Sequence, residues 1–286
     1  MICLYHLDDD GKCAANLVHR LGQKDEYEDQ FFEMNYGFKV PFDKIHPNEI
    51  VYIVDFSLDT VDMVTLYVKY TQNIIWIDHH KSAIDKYENF PYDINGIRST
   101  KYSGCMLTYL YLTNNCSKLN LEYNQMIKEA EVPQLVQLCD DYDMWRFNLP
   151  NTHAFHAGFE LVDHTPTDHI WEWVTSDEID RICLMGQTIE KYRASLMSKL
   201  IQSYGFESTL DGRKCYVLNQ GLAGSDDFKN APEGYDMFVS FVYNGKDYSY
   251  SLRSPDDAPP IVDIAQAHGG GGHPHAAGFS SPDLLV

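Results

Sequence analysis

Residues 50–80 read IVYIVDFSLDTVDMVTLYVKYTQNIIWIDHH. The run from Ile50 to Val54 is mostly β-branched and has no polar alternation, the pattern of a strand buried on both faces. It stops at Asp55. Residues 60–71 place apolar side chains at helical spacing, and Asn73 to Ile77 is a second buried run that stops at Asp78, followed by His79 and His80. Strand, helix and strand at this rhythm predict a βαβ unit of a parallel sheet. In such sheets ligands bind beyond the carboxyl ends of the strands, where these acids and histidines stand.

The same logic extends in both directions. Residues 2–7 are expected to form a strand running into His6-Leu7-Asp8-Asp9-Asp10-Gly11, and residues 12–22 a helix with Gly22 as its stop. Helices are expected over 104–114 and 131–140, the second before the acidic knot Asp140-Asp141-Tyr142-Asp143. Residues 151–180 read only as helices and turns, and 184–204 as an amphipathic helix bridging two domains. Strands follow at 214–219, 237–243 and 247–253, with Asn244-Gly245 as a hairpin signal. A short helix over 262–267 precedes a glycine run, Gly269 to Gly272, and His273. The expected architecture is α/β: an N-terminal parallel-sheet domain over 1–160, a helical linker region over 161–205, and a smaller C-terminal α/β domain over 206–286.

Composition narrows the function. With 286 residues, 44% of them hydrophobic, the chain carries enough apolar material for a sizeable core and is not a disordered polymer. It has no run of about 18 apolar residues, and its first ten residues turn acidic too early for a signal peptide. Seven cysteines, an odd number without a CxxC pair, argue against a disulfide framework, a disulfide-linked partner and a zinc ribbon. These features together lead us to expect a reduced, cytoplasmic protein with no membrane association. The net charge is −20, from 42 acids against 22 bases, with no basic block. A protein that tracks a long nucleic acid neutralises many phosphates with Lys and Arg. A nucleic-acid substrate here is therefore expected to be short, or held through metal ions.

Each chemical group has an ordinary explanation when taken alone. A strand-end Asp is often a helix N-cap, a glycine run is often a linker, and Arg253, at the end of a predicted strand, could be a surface ion pair. The combination is harder to dismiss. Neighbouring parallel strands lie about 4.8 Å apart, so His6-x-Asp8-x-Asp10, Asp55 and Asp78-His79-His80 converge. Carboxylates that close repel strongly unless cations stand between them, and oxygen with imidazole donors suits Mn²⁺ and related first-row metals. The stretch Gly270-Gly271-Gly272-His273-Pro274-His275-Ala276-Ala277-Gly278 could turn its amides into a phosphate-binding nest, with Arg253 as a bidentate phosphate contact.

In that order these motifs resemble the DHH phosphoesterases. The ending, Ser251-Leu252-Arg253-Ser254 and then Gly270-Gly271-Gly272-His273-x-x-Ala276-Ala277-Gly278, resembles the DHH-associated C-terminal domain. The resemblance implies a two-domain fold with its active site in the cleft between domains. It also implies two Mn²⁺ ions, with Mg²⁺ or Co²⁺ as substitutes, and hydrolysis of phosphodiesters by two-metal activation of water. It assigns His6, Asp8, Asp10, Asp55, His79 and Asp141 to the metals. Asp141 is chosen on the family's Ile-Ala-Asp form, with Asp140 and Asp143 competing. Asp78 would orient its neighbours and His80 would face the substrate phosphate, so Asp78, His79 and His80 form the catalytic set. Arg253, Ser254, Gly270, Gly271, Gly272 and His273 would hold the phosphate or terminal nucleotide. Asp9 is taken to face outward or to stand behind the ligands.

Among family activities, the charge favours a nanoRNase-like exonuclease, of either polarity, acting on oligonucleotides a few residues long or on dinucleotides. The alternatives are a RecJ-like single-strand DNA exonuclease and a cyclic-dinucleotide phosphodiesterase. A pyrophosphatase is disfavoured by the GGGH segment, and a non-catalytic binding module by the occupied motif positions. A homodimer stays open.

Overall fold

The computed structural model describes residues 1–286 except 169, 174–175, 222, 225–226, 229–230 and 256, and the side chains of 172, 173 and 176. The chain divides into two compact units, Met1–Gln187 and Thr188–Val286. The division falls within the stretch read as a linker: residues 161–187 group with the first unit and 188–205 with the second. Three residues of that stretch, 169 and 174–175, lie outside the described residues.

The first unit is built on five strands: β1 (Ile2–His6), β2 (Gln30–Met34), β3 (Val51–Val54), β4 (Ile74–Asp78) and β5 (Asn95–Arg98). All pair in parallel, in the order β2-β1-β3-β4-β5. Helices α1 (Asp9–Leu21), α2 (Thr60–Lys69) and α3 (Lys81–Lys86) make the connections, followed by α4 (Gly104–Leu112), α5 (Tyr123–Ala130), α6 (Gln134–Asp143), α7 (Thr152–Phe159) and α8 (Ile170–Trp173). The strands sit between two apolar layers. Cys3, Tyr5, Tyr52, Val54, Ile75 and Ile77 face one, with α1, α4 and α6; Ile2, Leu4, Val51, Ile53, Ile74 and Trp76 face the other, with Met63 and Leu66 of α2. Burial on both faces is why these strands read as unbroken apolar runs. The order reverses between β1 and β3, and a crevice opens at such a switch point.

The sequence misplaced some boundaries for local reasons. Helix α1 begins at Asp9, not Lys12, because Asp8 is its N-cap: the Asp8 carboxylate accepts the Gly11 amide at 3.0 Å. The helix expected over 131–140 starts later and ends later, because Glu131 adopts a left-handed conformation (φ 53°) that closes α5. Strands β2 and β5 and helix α5 had no strong pattern; β2 and β5 are short, half-exposed edge strands.

The second unit carries a six-stranded mixed sheet in the order β10-β11-β9-β8-β7-β6. Its strands are β6 (Phe206–Leu210), β7 (Arg213–Asn219), β8 (Met237–Tyr243), β9 (Tyr248–Arg253), β10 (Gly271–His273) and β11 (Ala276–Ser281). Helix α9 (Ser176–Tyr204) runs across the division, and α10 (Val262–Ala267) precedes β10. Asn244 closes the β8–β9 hairpin by accepting the amides of Lys246 and Asp247. The glycine run is not a free nest. Gly271, Gly272 and His273 form the edge strand β10, paired antiparallel with Gly278, Ala277 and Ala276. A Cβ at Gly270 would lie 2.1 Å from the Gly278 carbonyl oxygen, so the hairpin closes backbone against backbone.

Candidate metal centre

Three strand ends meet at the switch point. β1 ends at His6 and leads into the Asp8 cap and Asp10 on the first turn of α1. Asp55 follows β3, and Asp78 closes β4 ahead of His79 and His80. Asp55 is only 1% exposed and occupies the left-handed region at φ 53°, sparsely populated for non-glycine residues and tolerated best by Asp and Asn. It is the hub of the cluster: Asp55 Oδ1 lies 3.2 Å from His79 Nε2, and Asp55 Oδ2 lies 3.7 Å from His6 Nδ1. Around it three donor sets come within metal-binding distance: His6, Asp8 and Asp55; Asp55, His79 and His80; and Asp10, His79 and Asp143.

Several of these atoms are buried without a hydrogen-bond partner among the described residues: His6 Nδ1, both Asp55 oxygens, His79 Nε2 and Asp143 Oδ2. Asp8 Oδ2 stands 2.5 Å from His6 Nδ1, without hydrogen-bond geometry. Burying so many unpaired polar atoms at one point costs heavily unless a ligand satisfies them. The electrostatics agree. Burial and then the charge of Asp10 push Asp55 well above its ordinary range, and the same two causes push Asp143 up to about 8. The facing carboxylates of Asp55 and then Asp8 lift His6 to about 10. Protons here do the work of missing positive charge, and oxygen and imidazole donors at these spacings fit divalent cations.

The ligands are held from behind. The Asp10 carboxylate accepts two amides from the N-terminus of α4, Gly104 at 2.6 Å and Cys105 at 3.0 Å, which suits an anion at a helix start. Asp78, fully buried, accepts the amides of His79 and His80 and pairs with His80 Nδ1 at 2.8 Å. That fixes the His80 ring and leaves its Nε2 without a hydrogen-bond partner among the described residues. Gly104 has no room for a side chain: a Cβ there would lie 2.4 Å from Asp55 Cβ and 2.7 Å from Asp55 Oδ1.

Asp141 is not in the cluster. Its buried carboxylate accepts the amides of Asn148 (2.9 Å) and Leu149 (3.0 Å) and the Thr152 hydroxyl, tying α6 to the start of α7. Asp140 is likewise engaged, by the Ser103 amide, Tyr123 and Arg146. The acid that α6 turns toward His79 is Asp143, 3.4 Å from Nε2. The helical period explains this: α6 continues to Asp143, three residues beyond Asp140, and the knot's acids fan out around one turn. Asp9 stands behind the ligands: His164 hydrogen-bonds it at 2.7 Å and His156 Nδ1 lies 2.9 Å away. Against its burial, His156 and then His164 hold it well below the usual carboxylate range. Both histidines come from the stretch that could be read only loosely.

In the second unit, Arg253 ends β9 opposite Phe238 and Ala276. Its half-buried guanidinium donates to the Leu252 carbonyl and has no carboxylate partner among the described residues. Ser254 bonds His275 through both its amide and its hydroxyl, next to the glycine hairpin. His273 is exposed on β10.

No protein-family model matches the chain. A curated relative, an uncharacterized protein of Acanthamoeba polyphaga mimivirus, is 25% identical over 255 residues, covering 85% of this chain and 56% of that protein, so the chain spans little more than half its length. Three solved structures share the fold. An exonuclease RecJ bound to manganese has a TM-score of 0.55 at 14% identity, covering 98% of this chain and 85% of that one. The DHH domain of a protein described as a member of a ribosomal-protein family has 0.54 at 15%, covering 98% and 82%. RecJ from Thermus thermophilus in complex with Mn²⁺ has 0.50 at 14%, covering 98% and 49%. The chain therefore has the two-domain α/β fold of DHH-domain proteins.

Three outcomes follow from this geometry. In chelator, the melting temperature should fall as pH rises from about 5 to 8, because carboxylates with raised pKa bind more protons folded than unfolded, and His6 holds its proton beyond the unfolded range. Mn²⁺ should reverse that trend and stabilise most at the alkaline end, which thermal melts at several pH values will read. Asp143→Asn should raise the metal-free melting temperature near pH 8 while abolishing the Mn²⁺ increment. Asp141→Asn should instead keep the increment and lower stability by about 1–3 kcal/mol, since an amide cannot accept three donors. Gly104→Ala should weaken Mn²⁺ binding about 10–100-fold by displacing Asp55, with the fold retained by circular dichroism.

Proposed function

We propose that the chain is a metal-dependent phosphodiesterase of the DHH type that hydrolyses oligonucleotides a few residues long, or dinucleotides, to mononucleotides. The observation that carries this reading is the convergence of buried, unpartnered donor atoms on Asp55. His6, Asp8 and Asp55 would hold one cation, and Asp10, His79 and Asp143 a second, with Asp55 close to both groups. Divalent cations, when bound, supply Lewis-acid polarisation of a phosphoryl oxygen and bring the pKa of water to about 7. Mn²⁺ is the proposed ion, on the donor chemistry.

The chain's own residues then position the reaction. Asp78 holds the His80 imidazole through Nδ1, so Nε2 is the ring atom free to face a phosphoryl oxygen or to hand a proton to the leaving alkoxide. His80 is the more open of the pair, its side chain 31% exposed against 13% for His79, in keeping with a substrate-facing role. In the second unit, Arg253, with no carboxylate partner among the described residues, would take a phosphate oxygen, with Ser254, His273 and the hairpin of Gly270, Gly271 and Gly272 alongside. Short substrates are favoured by the net charge of −20, which disfavours a long cationic channel.

With Mn²⁺, a chromatographic panel should show mononucleotides released from a 5′-phosphorylated RNA dinucleotide and from short RNA or DNA oligomers. A long single strand should be spared, and diphosphate untouched. Asp10→Ala and Asp78→Ala should each abolish turnover with the fold retained. Full activity in either folded variant would overturn the assignment of the centre. Rapid loss of the long strand would make the protein a RecJ-like exonuclease, and phosphate release from diphosphate alone a pyrophosphatase.

A further inference from the structure

Beside Phe56 lies a cavity of about 430 Å³, within the range that takes a single small ligand. Phe56, the residue after Asp55, lines it: its ring lies nearly parallel to His6 (centroids 6.2 Å apart, 16° between planes), and Tyr36 packs against it at 5.4 Å. A line of rings thus leads from a metal-ligand candidate into the cavity. The outer wall is the turn after β2. There Tyr36 and Phe38 are 61% and 57% exposed, on either side of Gly37, whose φ of 88° reverses the chain. Both rings line the cavity and present apolar faces to it.

The charges at the rim decide what would fit. Lys86 is paired with Asp59 at 2.7 Å; Asp62 and Lys39 also line the cavity, and Lys39 has no ion-pair partner among the described residues. The formal charges of the lining balance, which suits a flat, uncharged ring rather than a phosphate, while Lys39 remains available to a neighbouring anion. The cavity on the far side of the cluster carries four carboxylates, Asp8, Asp9, Asp10 and Asp143, among apolar and aromatic side chains that include Leu138, Trp145 and Phe155, and one face of its Tyr142 ring is covered by His156 at 3.6 Å.

We propose that the cavity between Phe56 and the Tyr36–Phe38 turn is a nucleobase subsite, in which Tyr36 and Phe38 stack on the base of a nucleotide whose phosphodiester lies at the metal centre, with Lys39 contacting an adjacent phosphate. The inference rests on the phosphodiesterase reading and adds a base-recognising surface to it. Aromatic stacking on a base is sequence-tolerant and contributes appreciable affinity.

The test uses the full chain and 2-aminopurine riboside monophosphate, whose fluorescence is quenched on stacking. The wild type should quench it. Tyr36→Ala and Phe38→Ala should each weaken binding about tenfold, and Tyr36→Phe and Phe38→Tyr should restore it. In turnover, the preference for a dinucleotide over its abasic analogue, tried at each position, should collapse by a similar factor in the alanine variants. Absence of quenching, or quenching indifferent to both alanine variants, would overturn the proposal even if dinucleotides are hydrolysed. Quenching that depends on Phe38 in a protein that hydrolyses no diester would uphold the base site and remove the phosphodiesterase reading instead.

Discussion

The first unit is organised around an electrostatic problem: carboxylates and histidines from three strand ends are buried around Asp55 with too little positive charge among them. Unit charges of like sign a few ångströms apart in a partly dry environment repel by several kcal/mol. Without cations the chain meets this by keeping protons where free carboxylates would lose them, on Asp143 up to about 8 and on Asp55 well above its ordinary range. Any ion bound here would therefore be coupled to folding, and the strain is concentrated around Asp55.

The surrounding structure makes that crowding tolerable. The parallel sheet sets the spacing of His6, Asp55 and Asp78, because their strands are hydrogen-bonded neighbours in a fixed register. Helix α4 contributes its N-terminus: Gly104 and Cys105 give their amides to Asp10, and the missing Cβ at Gly104 lets the helix approach Asp55. Asp78 takes the reverse part, spending its carboxylate on the backbone and ring of the two residues after it. Rigid elements thus set most of the ligand positions, as a preorganised site requires.

Much of this was legible in the sequence because the central strands are buried on both faces. A continuous apolar run ending in an acid is visible for β1, β3 and β4, and it points directly at the crevice. The edge strands β2 and β5 carried no such run, being half exposed, and went unread. The glycine run announced a special backbone but not its form, since edge-strand pairing with β11 is a long-range outcome. Choosing among Asp140, Asp141 and Asp143 needed the phase of α6 and the loop that wraps Asp141, neither of which local spacing supplies. His156 and His164 were invisible as partners of Asp9 because some 150 residues separate them from it.

The left-handed backbone at Asp55 bears on how this chain can change. Few side chains accept that conformation without penalty: glycine, asparagine and aspartate. Of these only aspartate can bridge cations by charge. Glutamate, the obvious chemical substitute, carries a conformational penalty of about 1–2 kcal/mol there and an extra methylene to place, while asparagine fits the backbone and relieves the crowding. Mutational drift at this one position thus has an easy exit towards a well-folded, more stable and ion-free descendant, and no easy path to a different working ligand.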